Sequence, residues 1–241
     1  MKTIHFPQID STNSYLKENY NNLENYTFVS ADNQLKGKGR NNRKWESENS
    51  KNLLFSLLIL DDVLINKFKE VSIVTAYTIV KYLESLNIEN VSIKWPNDVF
   101  VKDNKICGIL LETITKDRME CLVVGVGINI NQKDFSKDLL IEATSLFKLT
   151  NKAYDIYTIK KELYSRLLAN LDKLKDGYDF YEDIINYDYL RDREGFVNIN
   201  CKNEHIKVLG INTDYSLKIL HNNKELNISA DEISLKGLLV K

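Results

Sequence analysis

Cysteine, proline and glycine are scarce in this chain of 241 residues, which contains 3, 2 and 9 of them. The three cysteines, Cys107, Cys121 and Cys201, lie far apart, so they predict neither a disulfide framework nor a cluster of metal ligands. The three histidines have no neighbours that would indicate a zinc site or a catalytic triad. We therefore expect a reducing cytoplasm and no metal site fixed by protein side chains.

A charge excess and a long apolar segment are also missing. The 33 Lys and Arg residues nearly balance 34 Asp and Glu residues, which argues against a general polyanion binder. The first residues contain no apolar stretch typical of a signal peptide. The longest apolar run, 53–60, is interrupted by Ser56 and is far shorter than the ~20 residues that a membrane span needs. We therefore expect a cytoplasmic globular protein that does not cross a membrane.

Hydrophobic periodicity predicts both helices and strands. The predicted helices span 12–22, 66–86 and 155–174. Ser11 or Thr12 would cap the first of them. The predicted strands span 27–31, 53–60, 92–95, 99–102, 105–113 and 119–130. Asp103-Asn104 is the expected turn of a hairpin. Short alternating runs after about residue 190 predict a small all-β module, with a domain boundary near residue 186.

A basic segment without apolar periodicity lies at 32–51. Within it, Gly37 and Gly39 allow the backbone to approach a ligand closely. Positive charge is concentrated on Lys36, Lys38, Arg40, Arg43 and Lys44. Such a segment suits a phosphate group or a mixed anhydride, although a solvated surface loop fits the charge and the glycines equally well. The spacing is not that of a P-loop.

Three further segments combine glycine with polar residues near strand ends. The first is Lys94-Trp95-Pro96-Asn97-Asp98, whose proline marks the end or edge of a strand. Its Asn97 and Asp98 offer oxygen ligands of the kind that Mg²⁺ prefers, although a simple turn would also explain these residues. Lys105 begins an apolar strand and points either to solvent or to an anion. Gly108, Gly125 and Gly127 permit close approach within strands, and the last two lack the third glycine of a dinucleotide-binding motif.

The order and spacing of these segments resemble those of the biotin–protein ligases, also called biotin–[acetyl-CoA-carboxylase] ligases. The matching pieces are Ser11-Thr12-Asn13, Gln34 followed by GKGRNNRKW, KWPNDVFVKDNKICGILLE, GVGININ, ATSL at 143–146 and DEISLK at 231–236. Two residues depart from the family pattern. Lys38 stands where the family carries Arg and Asn42 where it carries Gly, so the loop is expected to order less readily around a ligand.

The resemblance implies an α+β fold with two domains. A central mixed sheet with helices, similar to the catalytic core of class II synthetases, is expected at 1–186, and an SH3-like β-barrel is expected at 187–241. Bifunctional members carry an N-terminal helix-turn-helix, for which the position of Ser11 leaves no room. We therefore expect a monofunctional ligase without DNA binding, and a homodimer is consistent with the family.

The resemblance also implies a reaction and its reactants. ATP and biotin, with Mg²⁺, would form biotinyl-5′-AMP, from which biotin passes to one lysine of a biotin carboxyl carrier protein. The residues expected to bind biotin are Ser11, Thr12, Asn13, Gln34, Lys38, Gly39, Arg40, Lys105, Gly108 and Gly125. The residues expected to bind ATP or the adenylate are Gly37, Lys38, Arg40, Arg43, Trp45, Asn97, Asp98, Asn129 and Lys236.

Within this set, Lys105 and Arg40 are the expected catalytic residues, because they would offset the repulsion between two anions. Gly108 and Gly125 are expected to let their strands run against the bicyclic ring. A lipoate- or octanoyl-transferring enzyme of similar fold is the nearest alternative. A non-catalytic module or a transcription factor would need a DNA-recognition helix, and none is visible in the sequence.

Overall fold

A seven-stranded sheet organises the first part of the computed structural model, which describes residues 2–40, 43–136, 142–199 and 202–229. Its strands are β1 Thr3–Ile9, β2 Phe28–Gln34, β3 Asn52–Ile59, β4 Val91–Lys94, β5 Asp98–Val101, β6 Asn104–Thr115 and β7 Met119–Asn129. They lie in the order β1-β2-β3-β7-β6-β5-β4. Only β1 and β2 are parallel to each other, and the other neighbours are antiparallel. The predicted central mixed sheet is therefore confirmed.

Helices cover both faces of this sheet. Two long ones, α3 (Phe68–Ser85) and α5 (Ile156–Lys175), pack against the face that contains Phe55 and Leu57 of β3. The shorter α1 (Thr12–Asn19) packs on the opposite face, where Leu58 contacts it. Three further short helices are α2 Asp62–Asn66, α4 Leu146–Thr150 and α6 Tyr181–Ile184. Because side chains alternate along a strand, Ser56 lies on the same face as α1.

Several predicted boundaries need correction. The helix expected over 66–86 is α3, which begins two residues later, at Phe68, and ends at Ser85; the short helix α2 before it was not predicted. The hairpin turn between β5 and β6 lies at Lys102-Asp103, one residue before the predicted position, because Lys102 adopts a φ of 55° and Val101 pairs with Asn104. The segment expected to lack structure from residue 32 begins later, since β2 continues to Gln34.

In the described residues up to 229, the predicted all-β module is an antiparallel sheet of four strands, and the last run predicted for it, ISLKGLLV, lies outside the described residues. The strands are β8 Glu194–Ile199, β9 Lys202–Ile211, β10 Leu217–His221 and β11 Lys224–Ile228. Trp95 after β4 donates its Nε1–H to the Tyr215 carbonyl oxygen at 2.9 Å, and Ile206 of β9 belongs to the same apolar cluster as Ile93. The module thus packs against the end of the central sheet; its barrel closure and the boundary near residue 186 stay predictions.

In the described part of the chain, no helix is both long and apolar enough to pass through a membrane.

Candidate active site

The N-terminus of α1 meets β2 and β3 in a buried set of polar contacts. Ser11 caps the helix, and its Oγ accepts a hydrogen bond from the Ser14 backbone N–H at 3.4 Å. The backbone nitrogen of Thr12 lies 2.8 Å from Gln34 Oε1, and its Oγ1 lies 3.1 Å from the same oxygen. Thr12 Oγ1 is also 2.6 Å from Ser56 Oγ. Two predicted residues, Thr12 and Gln34, are therefore joined to Ser56, which was not among the residues predicted for the site.

Asn13 extends these contacts to β6. Its Nδ2 donates to Glu112 Oε2 at 2.8 Å and approaches the Leu110 carbonyl oxygen at 3.4 Å. Its Oδ1 accepts from Ser56 Oγ at 2.5 Å. Lys17 forms an ion pair with the other oxygen of Glu112. We call the connected group Thr12, Asn13, Gln34, Ser56 and Glu112 the α1 network.

Burial makes the hydrogen bonds of the α1 network important. Thr12, Asn13 and Ser56 are each less than 5% exposed, and a buried polar group without a partner costs about 1–3 kcal/mol. Burial raises the pKa of Glu112, but the hydrogen bonds from Lys17 and Asn13 outweigh this effect and hold the pKa below its ordinary value. Glu112 is therefore ionised at neutral pH, and it anchors one end of the α1 network.

Gly125 of β7 leaves space for the Asn13 side chain. Gly125 pairs with Ser56 across the sheet, and a Cβ atom there would come within 2.9 Å of Asn13 Cγ. The expectation was that Gly125 admits the ligand itself. The structure gives this glycine a different immediate neighbour, and a direct contact with biotin stays a prediction.

Two described parts of the basic segment, 37–40 and 43–45, pair with each other in an antiparallel arrangement. The Gly39 N–H donates to the Arg43 carbonyl oxygen at 2.7 Å, and the Trp45 N–H donates to the Gly37 carbonyl oxygen at 2.9 Å. Lys38 and Lys44 form an antiparallel bridge between these contacts. We call these two paired parts the basic hairpin. The departure noted at Asn42 lies outside the described residues, and so does Lys236.

Trp45 places its indole in a slot formed by two glycines. Gly108 of β6 and Gly127 of β7 are direct cross-strand partners. A Cβ atom on Gly108 would lie 2.7 Å from Trp45 Cζ3, and one on Gly127 would lie 2.5 Å from Trp45 Cε2. The Trp45 Nε1–H is buried and has no hydrogen-bond partner among the described residues. We call this feature the indole slot, and it explains why both glycines are needed.

Lys105 and Asp98 form an ion pair beside the indole slot. Lys105 Nζ lies 2.7 Å from Asp98 Oδ1 and 5.4 Å from the centre of the Trp45 ring. The Lys105 side chain is 23% exposed and that of Asp98 is 13% exposed, so water screens this pair only partly. The ammonium is therefore positioned to interact with an anion that reaches the slot.

Arg40 connects the basic hairpin to the loop before β5. Its Nη1 donates to Asn97 Oδ1 at 3.3 Å, while Asn97 Nδ2 donates to the Ile109 carbonyl oxygen at 2.6 Å. Asn97 thus joins Arg40 to β6. The structure brings together five of the residues predicted for the nucleotide side: Arg40, Arg43, Trp45, Asn97 and Asp98.

Lys94 is a cation that the sequence analysis did not assign to the site. It is only 6% exposed and lies across from Asp98 in the β4–β5 pair. Burial lowers the pKa of Lys94 to about 8; the Asp98 carboxylate opposes this shift, and the charges of Lys105 and Arg43 add to it. A lysine at the end of a buried strand, directly before Trp95, was the signal available in the sequence.

The segment around ATSL (143–146) holds the start of β6 through backbone hydrogen bonds. The Lys105 N–H donates to the Glu142 carbonyl oxygen at 2.8 Å, and the Thr144 N–H donates to the Lys105 carbonyl oxygen at 2.9 Å. Asn129 Nδ2 donates to the Thr144 carbonyl oxygen at 3.1 Å, and its Oδ1 is buried without a partner among the described residues. Asn129 therefore contacts the segment that positions Lys105; its predicted contact with the adenylate is untested.

Ser145→Ala is expected to lower the free energy of unfolding by about 1–2 kcal/mol. Ser145 Oγ caps α4 by accepting from the Lys148 N–H at 3.1 Å, and it donates to the Gln132 carbonyl oxygen at 2.6 Å. Alanine removes both bonds at a fully buried position. Urea unfolding should show a lower midpoint with an unchanged slope. A midpoint equal to that of the parent protein would contradict this role for the hydroxyl.

The two parts of the site have different chemistry and share one sheet face. Gly125 underlies the α1 network and Gly127 underlies the indole slot, two residues further along the same strand. One part offers paired donors and acceptors to an uncharged polar group. The other part offers an aromatic ring with cations beside it, which suits an anion joined to a planar base. Such an arrangement can hold two ligands end to end.

Comparison with known proteins gives a consistent result. Residues 5–129, more than half of the chain, match the model of the family described as "Biotin/lipoate A/B protein ligase family". A bifunctional ligase/repressor BirA from Bacillus spizizenii is 34% identical over 138 residues, which cover 56% of this chain and 42% of that protein. A biotin–[acetyl-CoA-carboxylase] ligase from Mycobacterium tuberculosis is 30% identical over 146 residues, 59% of this chain and 51% of that protein. The matched region thus spans about half the length of these curated relatives.

Similarity to a solved structure extends further along the chain. A biotin protein ligase from Aquifex aeolicus, solved in complex with biotin and ATP, superposes with a TM-score of 0.86 and 29% sequence identity. The superposition covers 97% of each chain. The two-part fold described above is therefore that of this solved protein.

Proposed function

The chain belongs to the biotin/lipoate A/B protein ligase family, and from this premise we propose that it attaches biotin to a lysine of a carrier protein in an ATP-dependent reaction. The proposed acceptor is a biotin carboxyl carrier protein. One observation carries the proposal: a network whose Thr12, Asn13, Gln34 and Ser56 side chains are uncharged adjoins a cationic, aromatic slot on the same sheet face. Biotin has an uncharged ureido ring at one end and a carboxylate at the other, and this pair of environments matches its two ends.

In the first step, the biotin carboxylate attacks the α-phosphorus of ATP and pyrophosphate leaves. Two anions must approach each other, and one opposite charge about 4 Å away contributes roughly 4 kcal/mol at an effective dielectric constant near 20. Lys105 is the proposed neutralising group, because its ammonium lies beside the indole slot and its backbone is held by hydrogen bonds to Glu142 and Thr144. Lys94 and Arg43 add positive potential on the side where the phosphates would lie.

Mg²⁺ would accompany the ATP phosphates in this step. Asp98 and Asn97 offer one carboxylate and one amide oxygen, a donor set that fits an ion held mainly by phosphates and water. When bound, the ion would supply charge neutralisation at the phosphates. Among the described residues, no group of three or more His, Cys, Asp or Glu side chains is placed to hold a metal ion.

In the second step, the carrier lysine attacks the acyl carbon of biotinyl-5′-AMP and AMP leaves. Water is the competing nucleophile, so the intermediate must be kept from solvent. The basic hairpin is the proposed cover, since its Arg40 donates to Asn97 and its Trp45 fills the indole slot.

Arg40→Ala is expected to increase the release of biotinyl-5′-AMP at least several-fold. Alanine removes the contact between the basic hairpin and Asn97, so the hairpin opens more often and the intermediate escapes before the carrier arrives. Radiolabelled biotin, with the free adenylate separated from the protein by rapid filtration, measures this release. Release equal to that of the parent protein would contradict the closing role of the hairpin.

Labelling of a carrier domain tests the proposed function directly. Biotin transfer that requires both ATP and biotin, detected by avidin blotting, is the expected result. Calorimetric titration with biotin and with lipoate separates the two branches of the family. The α1 network favours biotin, because the Thr12 hydroxyl and the Gln34 amide can pair with a ureido group, whereas a dithiolane ring offers them no hydrogen bond. Homodimer formation and the lack of DNA binding stay predictions, testable by sedimentation and by gel shift.

A further inference from the structure

Glu112 and Lys17 form an ion pair at the end of the α1 network that lies away from Gln34. Neither residue belongs to the set assigned to biotin or to ATP. We propose that this ion pair fixes the direction of the side-chain hydrogen bonds that run from Asn13 through Ser56 to the Thr12 hydroxyl, and that it thereby makes the network selective for a ureido ring. Glu112 is then a positioning residue that acts through Asn13. The proposal rests on the proposed function, because it assumes that biotin is the ligand of this network.

Glu112 determines the orientation of the Asn13 amide. One end of that side chain faces Glu112 Oε2 at 2.8 Å and the Leu110 carbonyl oxygen at 3.4 Å. An ionised carboxylate and a carbonyl oxygen can only accept hydrogen bonds. The NH₂ group of Asn13 must therefore point toward them. Its Oδ1 consequently points toward Ser56, and the opposite orientation would place oxygen against oxygen.

The orientation of Asn13 in turn determines the direction of the hydrogen bonds from the Ser56 and Thr12 hydroxyls. Ser56 has one proton, and Asn13 Oδ1 at 2.5 Å accepts it. Ser56 Oγ must then accept from the Thr12 hydroxyl, which lies 2.6 Å away. The Thr12 hydroxyl also lies 3.1 Å from Gln34 Oε1, but its single proton takes the shorter contact. Thr12 Oγ1 is left with lone pairs only.

The backbone of Thr12 determines the orientation of the Gln34 amide. Its Oε1 accepts from the Thr12 backbone N–H at 2.8 Å, so its amide orientation is also determined. The Gln34 NH₂ group is therefore the end that remains able to donate. The network thus combines an acceptor at Thr12 Oγ1 with a donor at Gln34 Nε2. A ureido group carries an N–H donor next to a carbonyl acceptor, which is the complementary order.

The role of Lys17 is to keep this direction fixed. Burial alone would favour a protonated Glu112, which could donate as well as accept. The ion pair with Lys17 favours the carboxylate, which can only accept. A neutral side chain such as glutamine could present either a donor or an acceptor to Asn13, so the hydrogen bonds from Asn13 through Ser56 to the Thr12 hydroxyl could reverse. The charge of Glu112 therefore controls hydrogen-bond direction at Ser56 and Thr12, which it does not touch, whereas the Thr12 backbone N–H orients Gln34.

The test compares biotin with 2-iminobiotin, in which a nitrogen donor replaces the ureido oxygen. Titration calorimetry of the full chain measures both affinities for the parent protein and for Glu112→Gln, which is nearly the same size. We expect Glu112→Gln to weaken biotin binding at least tenfold and to narrow the biotin/2-iminobiotin affinity ratio at least tenfold. ATP affinity should not change. Lys17→Met should shift the ratio in the same direction and provides a second variant if Glu112→Gln folds poorly.

Glu120→Gln is the matched control. Glu120 lies on the neighbouring strand β7 and is also ion-paired, to Lys116 at 2.9 Å, but it has no contact with the α1 network among the described residues. Both affinities should equal those of the parent protein. Weaker biotin binding in Glu112→Gln with an unchanged ratio would overturn the inference, because a merely structural role predicts that result. A parent protein that binds neither ligand would instead overturn the proposed function.

Discussion

Lys105→Ala is expected to slow adenylate formation roughly a thousandfold while leaving the protein folded. The Lys105 ammonium lies 5.4 Å from the centre of the Trp45 ring, and its loss removes about 4 kcal/mol of attraction at an effective dielectric constant near 20. Since each 1.4 kcal/mol corresponds to a factor of ten, this loss gives about three orders of magnitude. ATP- and biotin-dependent release of pyrophosphate in single-turnover experiments measures the step.

Stability should change little, because the backbone bonds that hold the start of β6 do not involve the Lys105 side chain. The Lys105 N–H and carbonyl oxygen bind Glu142 and Thr144 in either case. The substitution does leave the Asp98 carboxylate without its partner, so Asp98→Asn and the double variant are needed as controls. The double variant should be as slow as Lys105→Ala. Recovery of the rate on removing Asp98 would show that the unpaired carboxylate, rather than the missing ammonium, causes the defect.

The order of elements could be predicted because most of them carry a strong hydrophobic pattern. The buried strand β3 and the amphipathic helix α5 appear in the sequence almost at their true bounds. The edge strand β1 does not, because Pro7 interrupts it and most of its side chains are exposed, so its alternation is weak. The one-residue error at Lys102-Asp103 has a similar origin, since a lysine with a positive φ has no sequence signal.

Of the candidate site, only the residues that lie within sequence motifs could be predicted. The motifs supplied Asn13, Gln34 and Lys105, but they did not indicate what those residues contact. Ser56 and Glu112 join the site through contacts 43 and 99 residues from Asn13, and such contacts depend on the sheet order. A usable signal was nevertheless present, since a lone serine in an apolar strand must find a hydrogen-bond partner when the strand is buried.

Gly125→Ala is expected to weaken biotin binding by about 10- to 100-fold without affecting ATP binding. The added Cβ would come within 2.9 Å of Asn13 Cγ, so the Asn13 side chain must leave its place. Its contacts with Ser56 and Glu112 would then break, and each buried group left unpaired costs about 1–3 kcal/mol. Titration calorimetry with each ligand separately measures the two affinities.

Gly127→Ala, two residues along the same strand, is the matched variant and should produce the opposite pattern. Its Cβ would lie 2.5 Å from Trp45 Cε2, and the indole would be pushed out of its slot while the α1 network remains intact. ATP binding should weaken by about 5- to 150-fold, because overpacking of this size costs about 1–3 kcal/mol, and biotin binding should be retained. The same chemical change thus separates the two ligands according to which side chain lies above each glycine. If both variants weakened the same ligand, the division of the sheet face into an α1 network and an indole slot would be wrong.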